Sequence, residues 1–221
     1  MDDYWSEFEE FELEKKYDIE EFIETTAGKI ETEFLDFEEY HPAILGRENA
    51  EKLYALIRET KPELMVETGV CNGFSSSIIL KAMEDSGEGK LFSVDLPVFI
   101  DEIKKEDRTG AVIPPDKSSG WVVPDYLRDR WTLKEGDTYQ ELPRLFQSLT
   151  SKVDLFLHDS GHSYETMMFE FALAWRNLKE DHYLLADNID FSDAFIDFTE
   201  AKGLNRYRLG TLGVMTKKEE I

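Results

Sequence analysis

The 221-residue chain predicts an α/β protein: a mainly parallel seven-stranded sheet with helices on both faces, a C-terminal antiparallel hairpin and an N-terminal helical extension. Three observations predict it. Short apolar runs that end in Glu or Asp alternate with stretches of helical periodicity, the pattern of strands joined by crossover helices. A glycine-bearing loop, Gly69 to Gly73, joins one such strand to one such helix. The last apolar runs, Leu204 to Leu209 and Gly213 to Thr216, flank Leu209-Gly210-Thr211 too closely for anything but a hairpin.

The elements follow in order. Tyr4 to Tyr40 interleaves acids with Trp5, Phe8, Phe11, Leu13, Tyr17, Ile19, Phe22, Ile23, Ile30, Phe34, Leu35 and Phe37. Their three- and four-residue spacing suits one to three amphipathic helices, packed on the main domain, on another subunit or over a pocket. His41-Pro42 breaks the pattern, and Arg47 to Thr60 reads as a helix with Ala50, Leu53, Tyr54, Leu56 and Ile57 inward. Strands follow at Leu64 to Glu67, Lys90 to Val94, Trp131 to Lys134, Val153 to Leu157 and His182 to Ala186. Helices are expected over Ser75 to Met83, Ser163 to Leu178 and Phe191 to Lys202. Right-handed crossovers between parallel strands give a Rossmann-like arrangement from which the final hairpin departs. The chain thus divides into an acidic extension, 1–46, and a main domain, 47–221, with an insert or lid at 96–130 that carries Pro97, Pro114, Pro115 and Pro124.

Composition excludes several functions. The net charge of −23 would repel nucleic-acid phosphates and anionic membranes. Residues 1–40 hold 16 Asp or Glu and 3 Lys, so −13 of that charge lies in the extension. The single Cys71 rules out an internal disulfide and any cysteine zinc cluster. No apolar run reaches membrane-spanning length and the acidic N-terminus is unlike a secretory signal, so a cytoplasmic protein acting on small molecules is expected.

The first chemical constellation is Glu67-Thr68-Gly69-Val70-Cys71-Asn72-Gly73-Phe74-Ser75, between strand and helix. Gly69 and Gly73 allow positive φ and close backbone approach, and the following helix offers free N–H groups to a ligand. Glu67 can accept from an ammonium group. Asp95, at the end of the next strand, occupies the position where an acid commonly receives the two hydroxyls of a ribose. The spacing lacks the G-x-G-x-x-G of dinucleotide binders: Cys71 stands at the middle glycine and the third is missing.

On these residues the chain resembles the class I S-adenosylmethionine-dependent methyltransferases over about residues 60–217, and its loop resembles the small-molecule O-methyltransferases of the catechol and caffeoyl-CoA type. The resemblance implies that Glu67 and Ser75 help hold the methionine moiety, that Asp95 holds the ribose, and that Glu135-Gly136-Asp137 lies beside the adenine, with Gly-Asp also a common turn.

A second constellation lies at the ends of the fourth and fifth strands: Asp159, Asp187 and Asn188. Two carboxylates and an amide oxygen suit Mg2+ or another divalent cation whose remaining positions take water and substrate oxygens. Leu185-Ala186-Asp187-Asn188 is similar to the metal segment of the same O-methyltransferases, and Asp159 matches their first ligand. Where those enzymes often carry a lysine, this chain has His162; His162-Ser163-Tyr164-Glu165 instead resembles bacterial and archaeal methyltransferases whose fourth strand ends in Asp-x-Asp-His-Ser-Tyr, here with Gly161 for the second acid. With an unperturbed pKa near 6.5, a histidine there can act as base or orient Asp159. His158 should face the other side of the sheet in a structural role, and His41 and His182 have no evident partner.

The expected reaction is attack of a small-molecule hydroxyl on the sulfonium methyl, with Asp159 and His162 as catalytic groups; an amine acceptor is less favoured. Alternatives are an N- or O-methyltransferase without metal, a nicotinamide-dependent oxidoreductase, and a non-catalytic protein that associates through its acidic extension. Homo-oligomerisation through the N-terminal helices is a further expectation.

Overall fold

The computed structural model describes residues 4–35, 37, 42, 44–102 and 111–218; His41 lies outside them. A 3-10 turn at Tyr4–Glu7 leads into β1 (Glu9–Glu10), α1 (Glu20–Glu33) and α2 (Arg47–Thr60). Then come β2 (Leu64–Thr68), α3 (Phe74–Ser86), β3 (Lys90–Asp95), a 3-10 turn at Asp125–Arg130 and β4 (Trp131–Glu135). The chain continues through α4 (Thr138–Ser148), β5 (Val153–His158), α5 (Tyr164–Asn177), β6 (Leu178–Ala186), α6 (Ala194–Lys202), β7 (Tyr207–Leu209) and β8 (Leu212–Thr216).

The strands form one sheet in the order β1-β7-β8-β6-β5-β2-β3-β4. β4, β3, β2, β5 and β6 run parallel. β8 pairs antiparallel with both β6 and β7, as expected of a hairpin at Gly210. β2 and β5 sit in the middle, and their near-continuous burial fits strands covered on both faces. One core face packs Leu53, Leu56 and Ile57 of α2 and Ile78, Ile79 and Leu80 of α3 against Met65, Leu155 and Leu157. The other packs Leu142, Leu145, Met167, Phe171, Ala174, Phe195 and Phe198 of α4 to α6 against Val66 and Phe156.

Element ends have local causes. α2 stops at Lys61, in the left-handed region at φ 46°, just before Pro62. α3 lies between Gly73 and Gly87, both left-handed. α5 starts at Ser163, whose Oγ accepts from the Thr166 amide at 3.2 Å.

Several features differ from the sequence-based expectation, among them β6, which starts at Leu178 rather than His182, and β7, which starts at Tyr207 rather than Leu204. The sheet has eight strands, because Glu9–Glu10 pairs parallel with Tyr207 and Arg208 at its edge. α4 was not expected: Pro143 interrupts its helical pattern, yet Asp137 caps it and Leu142, Leu145 and Phe146 are buried. α6 begins at Ala194 rather than Phe191.

Among its described residues the N-terminal extension contains one α-helix, and it packs on the rest of the chain. Phe8 stacks on Phe195 with ring centroids 5.7 Å apart, and the Tyr4 hydroxyl donates to the Ile189 carbonyl at 2.7 Å. Ile19, Ile23, Ile30 and Phe34 enter the opposite core face. Its acids pair with cations of the main domain: Glu20 with Arg47, Glu10 with Lys52 and Arg208, and Glu7 with Arg206. Among the described residues no helix is long and apolar enough to cross a membrane.

Candidate active site at the carboxyl edge of the sheet

The ends of β2, β3, β5 and β6 are stitched together by backbone hydrogen bonds. The Gly69 amide donates to the Val94 carbonyl, the Asp159 amide to Thr68 and the Asp187 amide to His158, each at 2.9 Å. Gly69, at φ 82°, lies so close to the turn after β5 that a Cβ there would sit 1.8 Å from the Asp159 carbonyl oxygen. Only glycine satisfies both the dihedral and the space.

Glu67 lies inside the brace of this loop. Its carboxylate is fully buried and accepts from Ser75 at 2.7 Å, Ser76 at 2.6 Å and Ser93 at 2.8 Å. Burial outweighs these donors and pushes its carboxyl up to about 7. In the structure Glu67 and Ser75, the pair expected to help hold the methionine moiety, bind each other and tie α3 to β2 and β3. Ser76 and Ser93 complete the brace; the Ser75-Ser76-Ser77 run was its only trace in the sequence.

Asp95 is 6% exposed. Its Oδ1 accepts from the amides of Val70 at 2.8 Å and Cys71 at 3.2 Å, and its Oδ2 accepts from Ser119. Ser119 belongs to the insert, which is packed rather than loose in its described part. Ile100, Val112, Val122, Val123 and Leu127 join the core. The Gly120 amide donates to Cys71, Trp121 Nε1 donates to Asn72 Oδ1 at 2.7 Å, and the Asn72 amide nitrogen donates to Val112. A Cβ on Gly73 would meet the Gly120 Cα at 2.6 Å. Trp121 and Trp131 thus pack the insert, Trp131 with its ring against Gly120 while its Nε1 donates to Ser93 on β3 at 2.9 Å, and Tyr126 is exposed. Cys71 is a free thiol that donates to the Val112 carbonyl, and burial pushes it up to about 12.

The Gly136 amide donates to the Asp95 carbonyl at 2.8 Å, which sets Glu135-Gly136-Asp137 beside Asp95. The Asp137 carboxylate accepts from the Tyr139 amide at 2.8 Å as the cap of α4, so its observed role is that of the turn.

Asp159 and Asp187 come together at the centre of the edge. Burial, then repulsion by Asp187 and the nearby acids, raises Asp159 well above the usual carboxylate range. Asp187 is also raised by burial, against the Asn188 amide and His158, which favour its charge. Asn188 follows in the left-handed region at φ 49°. Among the described residues no group of three or more His, Cys, Asp or Glu is arranged to hold a metal ion. A cation here would rest on two carboxylates, the Asn188 amide oxygen and water, which is within the habits of Mg2+.

His162 is partly buried, edge-on to His158 at 5.5 Å and to the exposed Phe191 at 5.5 Å. Burial, with the neighbouring His158, lowers it to about 4, so the ordinary value expected from sequence does not apply. Ser163 beside it caps α5. His158 faces the α5 side, as expected, and its Nδ1 lies 2.7 Å from Glu170. Glu170 is a residue sequence reasoning missed: fully buried, it also accepts from Thr68 at 2.5 Å and from Ser160 and Thr138 at 2.7 Å. Burial opposes its charge, but His158 and these hydroxyls hold its carboxyl below the usual value. Its signal was a lone acid on the apolar stripe of α5, between Met167 and Ala174. His182 does have a partner, Asp154, at 3.1 Å.

Parallel strands closed by a reversed hairpin, a glycine loop after β2 and an acid after β3 together define a class I S-adenosylmethionine-dependent methyltransferase. The chain belongs to the family described as the methyltransferase domain, whose profile matches residues 66–189. Solved structures share the fold. A Klebsiella pneumoniae protein assigned to the O-methyltransferases superposes with TM-score 0.63 at 14% identity, over 94% of this chain and 93% of its own. A Staphylococcus aureus protein assigned as a caffeoyl-CoA O-methyltransferase gives 0.61 at 14%, over 86% and 91%. The Bacillus cereus O-methyltransferase in complex with SAH gives 0.56 at 13%, over 82% and 77%. No curated protein matches the chain.

Proposed function

We propose that the protein transfers the methyl group of S-adenosylmethionine to a hydroxyl of a small molecule at the carboxyl edge of its sheet. The observation that carries this reading is the convergence of the Gly69 to Gly73 loop, Asp95 and the Asp159–Asp187 pair on one edge, in a chain of the methyltransferase-domain family. The loop and Asp95 hold the cofactor, with Glu67 and Ser75 bracing the loop from behind. The SAH bound in the Bacillus cereus structure supports that choice of cofactor. Methyl transfer to oxygen is an in-line displacement in which the protein mainly aligns the two reactants and removes a proton.

Asp159, Asp187 and Asn188 would hold a divalent cation such as Mg2+. When bound, the cation lowers the pKa of a coordinated hydroxyl and offsets the repulsion between the two acids. Asp159 and Asp187 otherwise orient the hydroxyl and accept its proton, since burial makes them stronger bases than ordinary carboxylates. His162 is neutral at physiological pH, and at about 4 it attracts a hydroxyl proton weakly. Its role is to position the acceptor beside Phe191.

A methyltransferase without metal is the second reading, favoured by the lack of a three-residue metal group among the described residues. Methyl transfer from labelled S-adenosylmethionine to a panel of hydroxylated small molecules, with and without EDTA, separates the two. No transfer to any hydroxyl, or transfer only to amines, overturns the proposal; turnover unchanged by EDTA leaves the carboxylate pair as the base and removes the cation.

A further inference from the structure

We propose that Ser119, on the insert, is a second ribose-binding residue that shares the sugar with Asp95; this rests on the reading of Asp95 as the ribose acid. A carboxylate offers about four acceptor positions. Oδ1 of Asp95 takes the Val70 and Cys71 amides, and Oδ2 takes the Ser119 hydroxyl. The acid is therefore left with a single position, on Oδ2, and cannot receive both ribose hydroxyls as an unencumbered aspartate would.

Ser119 supplies what Asp95 lacks. A hydroxyl that donates its proton to a carboxylate keeps two lone pairs, and that donation makes its oxygen a better acceptor. One ribose hydroxyl donates to the last position on Asp95 Oδ2, and its neighbour donates to Ser119 Oγ.

The insert is fixed where this requires it. The Val122 amide donates to the Asn72 carbonyl at 3.2 Å and the Gly120 amide to Cys71 at 2.8 Å. The Asn72 carboxamide joins Trp121 to Val112. Two glycines permit the close approach: a Cβ on Gly120 would lie 2.1 Å from the Trp131 ring, and one on Gly73 would strike the Gly120 Cα. Ser119 is 3% exposed, so its hydroxyl is bound to the acid and not to bulk water. The packing of Ser119 against Asp95 thus makes this part of the insert half of the ribose contact.

Calorimetry on the full chain tests this with S-adenosylhomocysteine and its 2′-deoxy and 3′-deoxy analogues. S119A is expected to bind S-adenosylhomocysteine about fivefold more weakly, the worth of one ordinary hydrogen bond. It should bind one of the two deoxy analogues as well as the unmodified protein does, because that analogue lacks the hydroxyl Ser119 accepts. S119T keeps the oxygen and should restore the affinity, which separates the effect from misfolding, as do matched thermal midpoints. Equal or tighter binding by S119A overturns the proposal, and tighter binding makes Ser119 a competitor of the ribose. D95N separates the two layers. If D95N weakens binding and S119A does not, only the Ser119 inference fails; if D95N binds unchanged, or the unmodified protein binds no S-adenosylhomocysteine, the ribose reading beneath it fails too.

Discussion

Replacing Glu67 with Gln should stabilise the protein at alkaline pH and do little at acid pH. The side chain is fully buried, and burial raises its carboxyl to about 7 from a reference value of 4.5. A raised acid contributes full stability below its unfolded pKa, and that contribution is lost as pH rises through the folded value. At pH 5 the loss is about 0.8 kcal/mol, and by pH 8 it reaches about 3 kcal/mol, since each pKa unit is worth about 1.4 kcal/mol. Glutamine is nearly isosteric, keeps an oxygen for Ser75 and can donate its amide to Ser76 or Ser93 once those hydroxyls rotate. The difference in stability between E67Q and the parent should therefore shift by about 2.5 kcal/mol in favour of E67Q between pH 5 and pH 8. For a domain of this size that is roughly 5–10 °C in the difference of thermal midpoints. Thermal unfolding of both proteins at the two pH values reads it directly. A difference that does not change with pH refutes the buried, raised carboxyl, and one that moves the other way means Glu67 is ionised and stabilising.

Three further outcomes follow from the same edge. G69A would place a methyl 1.8 Å from the Asp159 carbonyl at φ 82°; it should lose about 3 kcal/mol or more and all S-adenosylhomocysteine binding, against calorimetric and unfolding measurements in which an unchanged protein would disprove the tight packing. D187N removes one of two mutually repelling, half-buried acids, so its midpoint should rise while methyl transfer falls by about a hundredfold or more, and a lower midpoint would show the pair to be stabilising. H162Q should leave the pH dependence of methyl transfer without a change between pH 6 and 7, because His162 is already neutral there; an inflection near 6.5 that disappears in H162Q would restore it as the base.

The sequence carried the parts of this protein that depend on local pattern. Central strands buried on both faces read as apolar runs, and Gly69, Asp95, Asp159 and Asp187 stood at their ends, where parallel sheets gather ligands. What it hid depends on distant partners. β1 is two residues long and is a strand only because β7 lies beside it. α4 was masked by Pro143, a helix breaker outweighed by the Asp137 cap and an apolar face. Glu67 was read by its position at a strand end; its direction is decided by three serines, one of them, Ser93, on another strand. His162 was given an ordinary pKa because burial is a property of the folded chain. The insert read as a mobile cover, since nothing local announces that Asn72 will hold Trp121 and Val112.

The two-residue strand at the sheet's edge also bears on whether a second sheet can pair with it. An open edge of backbone donors and acceptors is a template on which a strand of a second molecule can grow. Here the outermost strand is Glu9–Glu10, both exposed, in the most acidic part of a chain of net charge −23. Any incoming copy carries the same net charge, and that repulsion, with the strand's brevity, opposes pairing along this edge even though Glu10 is itself paired with Lys52 and Arg208. That protection discharges as pH falls toward the isoelectric point near 4.5, and added salt screens it. Acidic or high-salt solutions are therefore where this electrostatic protection of the edge is weakest.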